Sequence, residues 1–285
     1  MPLLDQRQME SISPFFGTPF GKWAGKVVKG MLNLNRFCDV YERSAADGSL
    51  GPDFACNVLK ETGSSYEVAG FETLKGLEGP FITISNHPYG GVDGIILVDM
   101  VGHLYPGYKV IVNKFISLLE AMGPSFITVT PTSTERKAPT QDSISGIRMA
   151  LQHIREGNPL GIFPAGAVSD LDRKSGEVRD REWQEPIIRV IRKAGVPVIP
   201  IRFFDGNTKF YYRLGLIDWK VRLMRLPTEV INKAGTRNRL AVGPVISPDT
   251  IKSFADIPSL TAFLRSSVYD MPMPDHFVPR DQLAL

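Results

Sequence analysis

The sequence predicts an α/β fold, a largely parallel central sheet flanked by helices, preceded by an N-terminal amphipathic helical segment. From residue 66 onward, short β-rich apolar runs alternate with stretches of helical periodicity, and strand–helix–strand alternation builds parallel sheets covered by helices. The 285 residues, 43% hydrophobic and 22% charged, also supply enough apolar material for a large core.

Taken in order, the expected strands are FITIS (81–85), YKVIVN (108–113), SFITV (125–129), PLGIF (159–163) and VPVIPIRFF (196–204). Between them lie helical stretches at 94–104, 114–122, 143–157 and 182–195. In the third of these, Ile144, Ile147, Leu151 and Ile154 recur at helical spacing and Gly157 is a natural stop. A strand near 239–245 and a helix near 256–269 complete the layers. The chain then divides into an N-terminal helical segment (1–65), an α/β domain (66–272) and a loosely held tail (273–285).

The net charge of +3 argues against a nucleic-acid binder, but the charge is uneven. Residues 20–36 carry four basic residues and no acid, and 209–239 carry eight against Asp218 and Glu229, which suggests a positive face. Within 20–34, Phe20, Trp23, Val27, Met31 and Leu34 fall on one side of a helix and Lys22, Lys26 and Lys29 on the other. Such a helix either packs on its own domain with solvated lysines or lies in a membrane surface carrying anionic lipid. Cys38 and Cys56 lack metal-ligand spacing and read as reduced thiols. With no leader-like start and no apolar run of about 18 residues, the expectation is a cytoplasmic protein, peripheral on the inner face of the membrane.

The chemistry concentrates after the first expected strand, in Ser85-Asn86-His87-Pro88-Tyr89-Gly90-Gly91-Val92-Asp93-Gly94. A histidine at a strand exit, before a Pro and a Gly-Gly turn, is placed to face a cleft. On a plainer reading Asp93 caps the next helix and His87 is a hydrogen-bonded loop residue. A second strand ends in Phe163-Pro164-Ala165-Gly166, and its turn is expected beside the first.

Asn86-His87 with a following Asp93, then Phe163-Pro164-x-Gly166, then Val196-Pro197-Val198-Ile199-Pro200, resemble three ordered blocks of the glycerophospholipid (1-acylglycerol-3-phosphate type) acyltransferase family, across roughly 80–245. The resemblance implies that His87 is the general base, that Asp93 orients it, and that the donor is acyl-CoA or acyl-carrier protein. Five residues separate His87 from Asp93, where the commonest family pattern has four. The longer form resembles the subgroup known as hemolysin-like or amino-acid-lipid O-acyltransferases. Ala165 replaces the family's glutamate, and no arginine matches the second block after Phe126-Ile127-Thr128-Val129. Both departures weaken lysophosphatidate as the acceptor, and the expected acceptor is a lysolipid with a free hydroxyl, either a lyso amino-acid lipid or a lysophospholipid.

Histidine suits the role because its unperturbed pKa, near 6.5, leaves it neutral and able to take a hydroxyl proton at pH 7. Backbone N–H groups around Gly90 to Gly94 are expected to face the thioester oxyanion. Asn86, Gly90, Gly91, Phe163, Pro164 and Gly166 are expected around the substrate, with Asn113-Lys114 at a strand exit, then Arg189 and Asn207, toward the acceptor headgroup. No bound cofactor or metal is expected. His103 reads as a helix-end residue, His153 as solvent-facing and His276 as part of the tail. Two other functions use the same features: a lipid ester or thioester hydrolase with the same dyad, and a non-catalytic membrane-binding protein.

Overall fold

A computed structural model describes residues 33–113, 116, 119–129 and 141–285. Residues 20–32 of the expected basic helix, and Lys114, lie outside the described residues.

The central sheet has eight strands: β1 Ser65–Ala69, β2 Ile82–Ser85, β3 Lys109–Asn113, β4 Phe126–Val129, β5 Leu160–Ile162, β8 Val198–Phe203, β9 Arg237–Val242 and β10 Val278–Pro279. A separate hairpin is made by β6 (Asp170–Leu171) and β7 (Val178–Arg179). The sheet order is β10-β1-β9-β8-β2-β5-β3-β4. Pairing is parallel from β8 through β2, β5 and β3 to β4, and again between β1 and β9, while β8–β9 and β1–β10 are antiparallel. Each expected strand is present, five within two residues of the expected ends and the one near 239–245 ending three residues early at Val242, because β-branched runs bounded by turn residues favour a buried, pleated environment.

The helices are α1 Leu34–Ser44, α2 Gly51–Thr62, α3 Glu72–Lys75, α4 Val92–Leu104, α5 Gln141–Arg155, α6 Glu185–Ala194, α7 Lys209–Gly215, α8 Trp219–Met224, α9 Leu226–Ile231, α10 Pro248–Ser253 and α11 Ile257–Tyr269. They cover both faces. On one, Phe54 and Val58 of α2 and Ile96, Leu97, Met100 and Val101 of α4 share a core with Tyr66, Val68, Ile199 and Ile201. On the other, Ile154, Ile188, Ile191, Leu260 and Leu264 pack on Ile82, Ile84, Leu160 and Ile162. Strand side chains alternate between the faces, as a pleat requires. Helix α4 is apolar almost all round because the sheet and α2 enclose it. A Cβ at Gly102 would approach Pro52 of α2 to 2.7 Å, so glycine permits this contact.

Several features differ from expectation. Helix α2 carries the signals of one, Pro52 in its first turn and Gly63 in the left-handed conformation after it, but lies inside the segment expected to stand apart. The helix expected over 114–122 is described only in part, and Pro124 accompanies a tighter 3-10 turn over Glu120–Ser125. His153 is buried, its Nε2 3.3 Å from the Pro159 carbonyl oxygen, and burial lowers its pKa. The basic stretch 209–239 is largely paired: Arg222 with Asp170, Arg225 with Glu229, Arg237 with Glu67 and Arg239 with Asp205. Lys233 is buried and donates to the Gly206 carbonyl at 2.6 Å.

Residues 273–285 are not a loose tail. Strand β10 pairs Val278 with Val68, and Arg280 then reaches the fully buried Asp99 of α4 through two bonds of 2.7 and 2.8 Å. Tyr66 donates its hydroxyl to the same carboxylate at 2.6 Å, and His103 lies 3.3 Å from it. Removing one partner from a buried charge network leaves the other charge uncompensated. Arg280→Ala is therefore expected to lower unfolding free energy by about 3 kcal/mol in chemical denaturation. His103 adds a pH dependence. Its bond to Asp99 raises its pKa from 6.5 to about 9. A raised folded-state pKa stabilises fully below the unfolded value and ceases to do so above the folded one. Unfolding free energy should thus fall between pH 6.5 and about 9, and this slope should weaken in His103→Gln.

Candidate active site

Strands β2 and β5 are neighbours in parallel register, Ile84 opposite Ile162, so both chains leave the sheet at the same edge. His87 lies three residues beyond Ile84 and Phe163 one beyond Ile162. Their rings meet with centroids 4.0 Å apart. Ligand sites of open α/β sheets form at this carboxyl edge.

His87 Nδ1 lies 2.8 Å from Asp93 Oδ2. Asp93 sits in the first turn of α4 with no solvent exposure. Its carboxylate also accepts the backbone N–H groups of Tyr89 (3.0 Å) and Gly90 (3.2 Å) at Oδ2 and of Gly94 (2.9 Å) at Oδ1. A buried carboxylate needs such donors, so the N–H groups of Gly90 and Gly94 are directed at Asp93 and not at an oxyanion position. Gly90 has φ +74°, and a Cβ there would overlap the Val168 side chain. Burial alone pushes the His87 pKa down. The charge and hydrogen bond of Asp93, with the charge of Asp180 behind it, outweigh burial and hold the imidazole above 6.5.

Asp180 is a residue no linear motif reveals, since it lies 93 residues from His87. Its Oδ1 accepts the His87 backbone N–H at 3.1 Å and the Ser169 hydroxyl at 2.6 Å, and its Oδ2 accepts Trp183 Nε1–H at 3.1 Å. The Ser169 N–H in turn donates to the His87 carbonyl at 2.9 Å. The strand-like grip of this segment fixes the histidine backbone from both sides. On the other flank, Tyr212 donates its hydroxyl to the Pro88 carbonyl (2.7 Å) and Asn207 Nδ2 donates to the Tyr89 carbonyl (2.8 Å).

His87 borders a cavity of about 290 Å³ whose wall is almost wholly apolar. Phe37 and Tyr41 of α1, Phe54 and Val58 of α2, Val112 and Phe126 of the sheet, and Leu226 and Val230 of α9 contribute to it. Helices α1 and α2, expected as a separate segment, are thus one wall of the site. Of the residues expected around the substrate or its headgroup, Gly90, Gly91, Asn113, Phe163 and Gly166 line the cavity. Gln184, whose Nε2 donates to the Ala165 carbonyl at 3.2 Å, also lines it and was not foreseen. Neither Asn86, Pro164 nor Asn207 lines it. Asn86 exchanges two 2.8 Å bonds with the Phe203 backbone, which ties the loop to β8. Together with Asn207 it borders a second, more polar cleft of about 510 Å³. Arg189 is exposed and paired with Glu185 on α6, away from both.

An imidazole held by a buried carboxylate, at the carboxyl edge of a parallel sheet and open to an apolar cavity, defines an α/β protein equipped to take a proton from a largely apolar substrate. The model of the acyltransferase family matches residues 49–272, and the chain belongs to that family. An acyltransferase family, expected from the three sequence blocks, is thus the one that matches. The chain is similar to the lyso-glycine lipid O-acyltransferase of Bacteroides thetaiotaomicron, 32% identical over 58% of this chain and 57% of that protein. It is also similar to that of Phocaeicola vulgatus, 25% identical over 78% of each. The match spans little more than half the length of the first of these relatives. The crystal structure of a 1-acyl-sn-glycerophosphate acyltransferase from Thermotoga maritima is 13% identical, with a TM-score of 0.46 over 92% of this chain and 91% of that one. Among the described residues, no helix is long and apolar enough to cross a membrane.

The electrostatics give a direct test. In Asp93→Asn the upward contributions of the carboxylate vanish while burial remains, so the His87 pKa read by NMR titration should drop from above 6.5 to below it.

Proposed function

We propose that the protein moves a fatty acyl group from acyl-CoA or acyl-carrier protein to the hydroxyl of a lysolipid, with His87 as general base and Asp93 as its orienter. The observation that carries this reading is the 2.8 Å His87–Asp93 bond at the border of an apolar cavity. The carboxylate accepts the Nδ1 proton, which leaves Nε2 as the acceptor on the other side of the ring. As Nε2 takes the hydroxyl proton, the alcohol oxygen bonds to the thioester carbon. The tetrahedral intermediate then collapses, the C–S bond breaks, and the imidazolium returns its proton to the leaving thiolate.

The cavity supplies the non-polar surface that an acyl chain needs to leave water. Ala165 offers no carboxylate to organise a glycerol phosphate, and the two relatives are named for a lyso-glycine lipid, so a lyso amino-acid lipid is the favoured acceptor. Work on such a substrate places the protein at the inner face of the cytoplasmic membrane, against anionic lipid. Asn113 on the cavity wall and Lys114, the next residue in sequence, are the favoured contacts for the headgroup.

Labelled acyl-CoA with and without a lyso-glycine lipid tests the reading. Wild-type protein should form diacylated lipid only when the acceptor is present, and rapid release of free fatty acid without it would establish a hydrolase instead. His87→Ala should lose about 10²–10⁴-fold in rate while circular dichroism still reports the folded protein. Because the base must be neutral, the wild-type rate should rise with pH through a value above 6.5.

A further inference from the structure

The segment between β8 and β9 inverts the ordinary order of polarity. Arg222 of α8 is buried at 2% exposure, bonded to Asp170 Oδ1 (2.5 Å) and to the Ser169 carbonyl (3.1 Å). Around it six large apolar side chains are exposed: Phe210, Ile217 (83% exposed), Trp219 (53%), Val221, Leu223 and Met224. Single exposed apolar residues are common, but six within 15 residues around a buried arginine form a patch that water does not favour.

Charge and position identify the phase that would cover it. Residues 209–225 contain five basic residues against the single acid Asp218, and Lys209 and Arg213 are exposed beside the apolar side chains. From the β6–β7 hairpin, Arg173 donates to the Leu216 carbonyl at 2.6 Å, adding a further cation at the edge. Tryptophan and phenylalanine interleaved with lysine and arginine suit the boundary between headgroups and acyl chains. A symmetric contact between two copies would bring the same cations face to face. Topology adds a third argument. Strand β8 runs parallel to β2 and β9 antiparallel to β8, so the whole segment leaves and re-enters at the edge that carries His87. It continues directly into α9, whose Leu226, Pro227 and Val230 line the cavity.

We infer that α7 and α8 form a membrane-docking face, with Ile217, Trp219, Val221, Leu223 and Met224 entering the acyl region of a bilayer and Lys209 and Arg213 meeting anionic headgroups. This face is distinct from the basic helix expected over 20–34. It rests on the lipid-directed reading of the cavity, and it gives a lysolipid an apolar route from bilayer to site.

Full-length protein is sedimented with phosphatidylcholine vesicles, with and without phosphatidylglycerol. The triple variant Ile217→Ser, Trp219→Ser, Val221→Ser should bind both kinds of vesicle about tenfold less or weaker still. The pair Lys209→Gln, Arg213→Gln should bind phosphatidylcholine vesicles as wild type does and lose only the extra binding that phosphatidylglycerol adds. Both should keep the wild-type melting temperature and the wild-type rate on water-soluble short-chain substrates. Wild-type protein that stays in the supernatant, or a serine variant that binds as wild type does, overturns the inference. So does a wild-type dimer that the serine variant converts to monomer. Vesicle binding that responds as expected, in a protein that transfers no acyl group, supports the docking face and defeats the catalytic reading alone.

Discussion

A carboxylate without solvent contact must find its hydrogen bonds inside the protein, because an unpaired buried charge costs several kcal/mol. Asp93 meets that demand with the His87 imidazole and with backbone N–H groups of the turn between them. The turn can wrap the carboxylate because Gly90 adopts a left-handed conformation and carries no Cβ to strike Val168. Shape of the loop, ring orientation and elevated histidine pKa therefore have one origin. The residue that raises the histidine pKa also folds the loop that presents the ring.

The loop is held as firmly from outside. Asp180 and Ser169 grip the His87 backbone, Asn86 zips to Phe203, and Tyr212 and Asn207 secure Pro88 and Tyr89. These contacts come from segments far apart in sequence, brought together because β2, β5 and β8 run side by side in one direction and end at one edge. Holding an imidazole to within a few tenths of an ångström requires such support, since a loosely held side chain forfeits most of the benefit of proximity.

Apolar surface is distributed in the same economical way. The helices α1 and α2 that close one side of the core also wall the cavity, while the segment that follows β8 turns its arginine inward and its tryptophan outward. Net charge along the sequence is a poor guide to such a surface. Four arginines of the 209–239 stretch are paired with acids from other parts of the chain or from the next helical turn, and Lys209 and Arg213 remain on the surface.

The sequence by itself determined what local physics governs: β-branched runs between turn residues as strands, the stop at Gly157, and the His87 and Phe163 turns as strand-exit loops. It pointed to the family through the order of three short blocks, and the family match followed. Only the tertiary structure decided which polar groups line the cavity and which are consumed in holding the site together. Asn86, Asn207 and the N–H groups of Gly90 and Gly94 fall in the second class, as no spacing reveals which partner a buried donor will find. Asp180, the α1–α2 wall and the Arg280 clamp were equally hidden. Each depends on contacts between residues distant along the chain, fixed by sheet order and by the need to satisfy every buried charge.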